Sequence, residues 1–170
     1  TIDDAAGECF DKVAVLLGLP QPGGPQVSRL AATGNPKAVA FPRARVDGAP
    51  LDLSFSGLKT SVLYYLKGAG GRRDAADRAD LPCSRADVAA SFEQAVVDVL
   101  VDRALRAVAQ EGVRELVVGG GVAANRVLRR DLAARAPAHV QVRFPSMALC
   151  ADNGAMIALR GGELLALGRR

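Results

Sequence analysis

Glu115-Leu116-Val117-Val118 followed by Gly119-Gly120-Gly121 constrains this chain more than any other stretch. A short apolar run bounded by turn residues reads as a strand, and three consecutive glycines end it. A helix follows to about residue 136, where Pro137 stops it. Residues 140–144 read as a second strand, closed by Pro145. Strand, crossover helix and strand form the right-handed unit of a parallel sheet, so the fold class expected is α/β.

The remaining elements read as helices joined by turns. Ala6, Phe10, Val13 and Leu17 recur at helical spacing over residues 3–17, with Gly18 and the run Pro20-Gln21-Pro22-Gly23-Gly24-Pro25 ending that helix. A short helix is expected over residues 27–32, and an irregular segment over 33–51, which holds Pro36, Pro42 and Pro50. Residues 56–66 read as a helix. Residues 68–80, built of Gly, Arg, Asp and Ala, read as a mobile polar loop with little to bury. Val88, Phe92, Val96, Val99 and Val108 mark one face of a long helix over 85–110, and a last helix is expected over 151–167. Aromatic residues make up 4% of the chain against 49% apolar, so the core must be built from Ala, Val and Leu. Small side chains of this kind suit closely packed helices and parallel strands.

Several function classes are excluded at this level. No apolar run approaches the roughly 20 residues needed to span a bilayer. Cys9, Cys83 and Cys150 are odd in number with no Cys-x-x-Cys spacing, which argues against a disulfide framework or zinc knuckle and fits a reducing cytoplasm. The net charge of +4 comes largely from Arg and is compatible with a polyanionic partner, though no dense basic run occurs. No His-Glu-x-x-His, Ser/His/Asp set or Walker loop is present. The chain does not begin with Met. Thr1-Ile2-Asp3-Asp4 reads as a helix start with its capping residues, and an upstream portion is expected.

Three places could carry chemistry. Asp4, Glu8 and Asp11 lie at helical spacing on one stripe. They are either a solvated face with a Glu8–Lys12 ion pair or, beside the Pro-Gly-Gly turn, acceptors for ribose hydroxyls. Glycines 119–121 expose backbone N–H groups and admit a flat ring, and Asn125 in the first helical turn can donate and accept. A dinucleotide fingerprint would demand an acid at the end of the next strand, where Gln141-Val142-Arg143-Phe144 has none. Cys150-Ala151-Asp152-Asn153 opens the last helix, with Asp152 either a capping acid or one ligand of a metal. His139, the sole histidine, is expected at the surface.

In order along the chain, six stretches carry a resemblance. They are residues 3–14 (from Asp3-Asp4-Ala5-Ala6-Gly7-Glu8), Pro22-Gly23-Gly24-Pro25, Phe41-Pro42-Arg43, Phe55-Ser56-Gly57-Leu58-Lys59-Thr60, Gly120-Gly121-Val122-Ala123-Ala124-Asn125 and residues 152–158 (from Asp152-Asn153-Gly154-Ala155). Together they resemble the TsaD (Gcp) family, the tRNA N6-adenosine threonylcarbamoyltransferases. The resemblance implies the actin-like (ASKHA) ATPase fold, with this chain supplying mainly the second lobe over 1–150. The helix of 151–170 would then pack back toward the first lobe.

It also implies transfer of a threonylcarbamoyl group from threonylcarbamoyl-AMP to N6 of the adenosine following the anticodon in tRNA, in the cytoplasm with TsaB-like and TsaE-like partners. By position Asp11, Gly24 and Asn125 look like the adenylate-binding residues. Asp152 looks like one ligand of a divalent metal, iron or else zinc, acting as a Lewis acid. The family's His-x-x-x-His pair, which supplies the other metal ligands, is absent from this chain, as is its first phosphate loop, so the chain alone is expected to be inactive and to bind no metal tightly. Two other readings stand beside this one: a carbamoyltransferase or sugar kinase of the same fold, and a non-catalytic scaffold for partner proteins and tRNA.

Overall fold

Helix α4 (Arg85–Glu111) is the element on which the others are assembled, and its limits are written in side chains. At its start the Ser84 hydroxyl accepts from the Asp87 N–H at 3.1 Å, while the Asp87 carboxylate accepts from the Ser84 N–H at 3.0 Å. This reciprocal pair satisfies donors that the first helical turn leaves open. Gly112 ends the helix in the left-handed conformation. Between its ends, Val88, Ala89, Ala90, Phe92, Ala95, Val96 and Val97 are all buried, so the helix is covered on every side there.

The computed structural model describes residues 1–72 and 76–169. Around α4 lie α1 (Ala6–Leu16), α2 (Gly23–Ala31), α3 (Ser56–Lys67) and α5 (Arg126–Arg135), with strands β1 (Glu115–Val117) and β2 (Gln141–Arg143) and a last helix α6 (Gly154–Ala166). One apolar cluster joins the first half of α4 to α1, α2 and α3 through Phe10, Val13, Val27, Phe55, Leu58 and Phe92. Phe10 and Phe92 meet edge to face at 5.1 Å. A second cluster joins Val97 and Val101 to Leu128 and Leu132 of α5, with Leu116 and Val142 of the strands against it. The strands are parallel, Leu116 opposite Val142. The α/β class and the parallel unit are therefore as the sequence predicts, in a mainly helical protein.

The segment 33–51 has no regular structure, as expected, yet α4 holds it through side chains. Asp87 accepts from the Asn35 N–H at 2.7 Å and the Ser91 hydroxyl from the Val39 N–H at 3.1 Å. Further along, Arg103 donates to the Asp52 and Ala44 carbonyls. A chain interrupted by proline forms no continuous ladder; turn bonds such as Ala38 N–H to the Asn35 carbonyl serve part of its backbone, and polar residues of the neighbouring helix serve further groups.

The structure departs from the sequence reading at several ends. Helix α1 begins at Ala6, and neither Asp3 nor Asp4 caps it. Asp3 instead accepts from the Phe55 N–H at 2.8 Å and from the Ser54 and Ser56 hydroxyls at 2.6 and 2.7 Å, fastening the start of α3. Asp4 lies between Lys12 at 2.6 Å and Lys59 at 3.0 Å. Helix α2 starts earlier than predicted, at Gly23, because proline and glycine are both admissible in a first helical turn. The described parts of the loop 68–80 are tied down. Asp77 pairs with Lys67 and Arg85, and the Arg78 N–H donates to the Leu66 carbonyl. Residues 73–75 of that expected loop lie outside the described residues.

The fastening by Asp3 has a pH signature. Burial pushes its pKa up, but the hydrogen bonds from Ser54, Ser56 and Phe55 outweigh this and hold it at about 2 against an ordinary 3.8. Its folded pKa is thus depressed, so its stabilisation is present above pH 3.8 and is lost as pH falls toward 2. Asp3→Ala is expected to cost about 1 kcal/mol at neutral pH, a value kept small by solvent screening. Urea titrations of wild type and variant at a series of pH values should show the difference closing between about pH 4 and pH 2.

Candidate functional site

A cleft of about 1180 Å³ opens between α1, α2, the glycine turn and the segment after β2. Drug-sized ligand sites reach about 1,000 Å³, so this one has room for a nucleotide with an attached acyl group. A smaller hollow of about 180 Å³ lies beside Arg45, Arg103 and Arg106. Arg103 there is already engaged by Asp102 and two carbonyls, and Arg106 by Asp102.

Asp11, Gly24 and Asn125 all line the large cleft although they lie far apart in sequence. On α1 the stripe of carboxylates divides. Glu8 pairs with Lys12 at 2.7 Å, the i,i+4 ion pair, and Asp4 joins the same lysine. Asp11 turns the other way and accepts from the Gly23 N–H at 2.7 Å through Oδ1. A Cβ on Gly23 would lie 2.7 Å from both the Asp11 Cα and the Ala14 Cβ, so only glycine lets α2 begin this close to α1. Around Gly24, by contrast, a Cβ would meet nothing within 4 Å, which leaves open cleft there.

The glycine turn forms the facing wall. Gly120 takes φ 85° and a 3₁₀ turn, Gly121–Ala124, precedes α5. Asn125 stands at the N-cap of α5 and not within its first turn: its Oδ1 accepts from the Leu128 N–H at 2.9 Å. Its amide nitrogen donates to Glu93 Oε1 at 2.7 Å and to the Ser28 hydroxyl at 3.3 Å. Ser28 in turn donates to the same Glu93 oxygen at 2.5 Å.

Ser28 and Glu93 both line the cleft and had no part in the reading of the sequence. A signal was available for Glu93. It follows Ala89 by four residues and precedes Val96 and Val97 by three and four, on the apolar face of the helix, where a charged side chain must be partnered. Ser28 carries no comparable signal.

Arg129 was also missed. It donates to the Ala123 carbonyl at 2.6 Å and the Pro145 carbonyl at 2.7 Å, reaches Cys150 Sγ at 3.2 Å, and lies over the Phe144 ring at 4.8 Å. One side chain thus joins the glycine turn to the segment that follows β2. The buried Cys150 donates to the Ser146 carbonyl.

Asp152 is placed differently from the sequence expectation. Asn153 caps α6, accepting from the Met156 N–H at 3.1 Å, and Asp152 is exposed just before it. Ala151 and Cys150 reach the rim of the cleft; Asp152 is not among its lining residues. His139 is exposed in the turn before β2, at the opposite end of that strand from Cys150. A tightly held transition metal wants three or more protein ligands, and no such group of His, Cys, Asp or Glu is gathered among the described residues.

Comparison with known proteins gives a consistent outcome. A family model described as TsaD: tRNA N6-adenosine threonylcarbamoyltransferase matches residues 1–159. Proteins named tRNA N6-adenosine threonylcarbamoyltransferase are 50% identical in Symbiobacterium thermophilum, covering 100% of this chain and 48% of the relative. The corresponding protein of Bordetella petrii is 52% identical over 99% of this chain and 47% of its own length, and that of Burkholderia vietnamiensis 54% over 99% and 48%. The chain spans about half the length of the curated relatives it matches.

The Asn125 geometry separates two duties that one substitution usually confounds. Asn125→Asp keeps a good N-cap acceptor but removes the donor to Glu93 and sets two carboxylates together. The cap alone predicts no loss. The network predicts a loss of about 2 kcal/mol or more at neutral pH, measured by urea unfolding.

Proposed function

This chain belongs to the TsaD family, and we propose that the whole protein of which it spans about half transfers a threonylcarbamoyl group from threonylcarbamoyl-AMP to N6 of the adenosine following the anticodon in tRNA. The observation that carries this reading is the meeting of Asp11, Gly24 and Asn125, from three of the matched motifs, on one cleft. In it the Asp11 carboxylate accepts from ribose hydroxyls through the oxygen that Gly23 leaves over, and the open space at Gly24 admits the sugar. The glycine turn receives the adenine ring on its backbone face, with Asn125 and Arg129 holding that turn in place. What these residues contribute is binding and orientation, which set the reacting groups in range of each other.

The fold proposed for the whole protein is of the actin-like type, with residues 1–150 belonging to its second lobe. Helix α6 supports this: it buries none of its residues, and Ile157, Leu159 and Leu165 stand about 70% exposed. In the proposed arrangement that apolar face packs toward the first lobe. Asp152 is proposed as one ligand of a divalent metal, iron or zinc, whose other ligands lie outside this chain. TsaB-like and TsaE-like proteins are the proposed partners and the cytoplasm the proposed location. No helix among the described residues is long and apolar enough to cross a membrane.

Two measurements test the reading. In the full-length protein, Asp11→Ala removes a charged acceptor of the kind worth about 1.5–3 kcal/mol, so AMP affinity by calorimetry should fall about 10- to 150-fold and threonylcarbamoylation of tRNA with it. An unchanged affinity rejects the role of Asp11. Metal analysis after dialysis should find iron or zinc retained by the full-length protein and lost in Asp152→Ala; equal retention in both removes Asp152 from the ligand set.

A further inference from the structure

We infer that Glu93 sets the base specificity of the cleft, its free carboxylate oxygen accepting a hydrogen bond from the exocyclic amino group of the adenine in the adenylate donor. This rests on the adenylate reading of the cleft and deepens it.

The placement comes first. Glu93 is 4% exposed, yet it is one of the residues that line the cleft. Both donors that reach it, Ser28 Oγ and Asn125 Nδ2, go to Oε1. Among the described residues Oε2 has no hydrogen-bond partner. Oε2 is not sealed from solvent, so it opens onto the cleft, where an arriving N–H donor can replace water and form a charge-assisted hydrogen bond.

The neighbouring groups narrow the class of donor. Asn125 Oδ1 is taken by the Leu128 N–H, and the Ser28 hydroxyl already accepts from Asn125 and donates to Glu93. At this end of the cleft the remaining unpartnered carboxylate oxygen is that of Glu93. A Cβ on Gly121 would meet nothing within 4 Å, which leaves room for a flat ring beside it. Ribose hydroxyls have their own acceptor in Asp11 across the cleft. A carboxylate beside a ring site favours a ring carrying an amino group over one carrying a carbonyl oxygen at the same position. The first is a charge-assisted hydrogen bond and the second a repulsive contact of two acceptors. At C6 adenine and hypoxanthine differ in this way, and N6,N6-dimethyladenine removes the same donor while leaving N1 an acceptor.

The test uses the full-length protein and AMP, IMP and N6,N6-dimethyl-AMP as calorimetric probes. Wild type should bind AMP at least tenfold more tightly than either of the others, since a hydrogen bond to a charged group is lost with each. In Glu93→Gln the side-chain oxygen still accepts from Ser28 and Asn125, while the new amide donates toward the ring. The AMP-to-IMP preference should therefore fall to unity or reverse. A Glu93→Gln protein folded by circular dichroism that keeps the wild-type preference overturns the inference. So does a wild type that binds AMP and N6,N6-dimethyl-AMP equally, a result that needs no variant to fold. Failure of wild type to bind AMP at all overturns the adenylate reading and this inference together; binding without discrimination overturns this inference alone.

Discussion

Ser28, Glu93 and Asn125 meet in one set of hydrogen bonds, and through it α2, α4 and α5 come to a common point. Each helix arrives there for its own apolar reasons. Val27 and Ala31 bury the face of α2, Val96 and Val97 that of α4, and Leu128 and Leu132 that of α5. Apolar burial is non-directional and would tolerate some sliding of these helices. A carboxylate that is nearly out of solvent and accepts from two different elements tolerates far less, because displacing either donor leaves charge unmet. The walls of the cleft are therefore set by a polar contact at a place where packing alone would leave latitude.

Helix α4 makes this possible by serving two clusters at once. Its first half closes the helical layer with α1, α2 and α3, and its second half packs under the strands and α5. Glu93 lies near the changeover between the two. The same helix holds the irregular segment through Asp87, Ser91 and Arg103, so a stretch unable to form its own ladder still has its backbone groups met. Arg129 does on the other wall what Glu93 does on this one, binding the glycine turn and the chain after β2 to α5.

The sequence was legible wherever periodicity or turn chemistry governs the outcome. The long helix and the strand-glycine-helix-strand order were read because each depends on residues close together in the chain, whereas the Pro-Gly-Gly run, expected as a turn, opens α2. What escaped depends on distant partners. Asp3 looked like a local cap and instead serves Phe55, Ser54 and Ser56 across some fifty residues, since a side-chain carboxylate takes whichever donors folding brings nearest. Asp4, Glu8 and Asp11 share a stripe on paper, and the Glu8–Lys12 pair was legible there, but Asp4 is also taken by the distant Lys59 and Asp11 by the Gly23 N–H. Asp152 was read as opening the last helix; Asn153 takes that position because its side chain reaches the Met156 N–H.

Helix α6 shows how local order and tertiary support come apart. It is capped by Asn153 and carries an Arg160–Glu163 pair, but Gly161 and Gly162 sit in its interior and none of its residues is buried. A helix of 13 residues is marginal in water when propensity alone sustains it, and two glycines together weaken it by about 2 kcal/mol relative to alanine. Its surface is nonetheless apolar enough to demand cover, with Met156 half exposed and Ile157 and Leu159 about 70% exposed. Such a helix depends for its stability on a surface outside the clusters described, and the segment before it, held at Cys150 by Arg129, is where that dependence reaches the rim of the cleft. Whatever covers α6 thus bears on the position of Asp152, which stands between the anchored Cys150 and the cap at Asn153 with no tether of its own among the described residues.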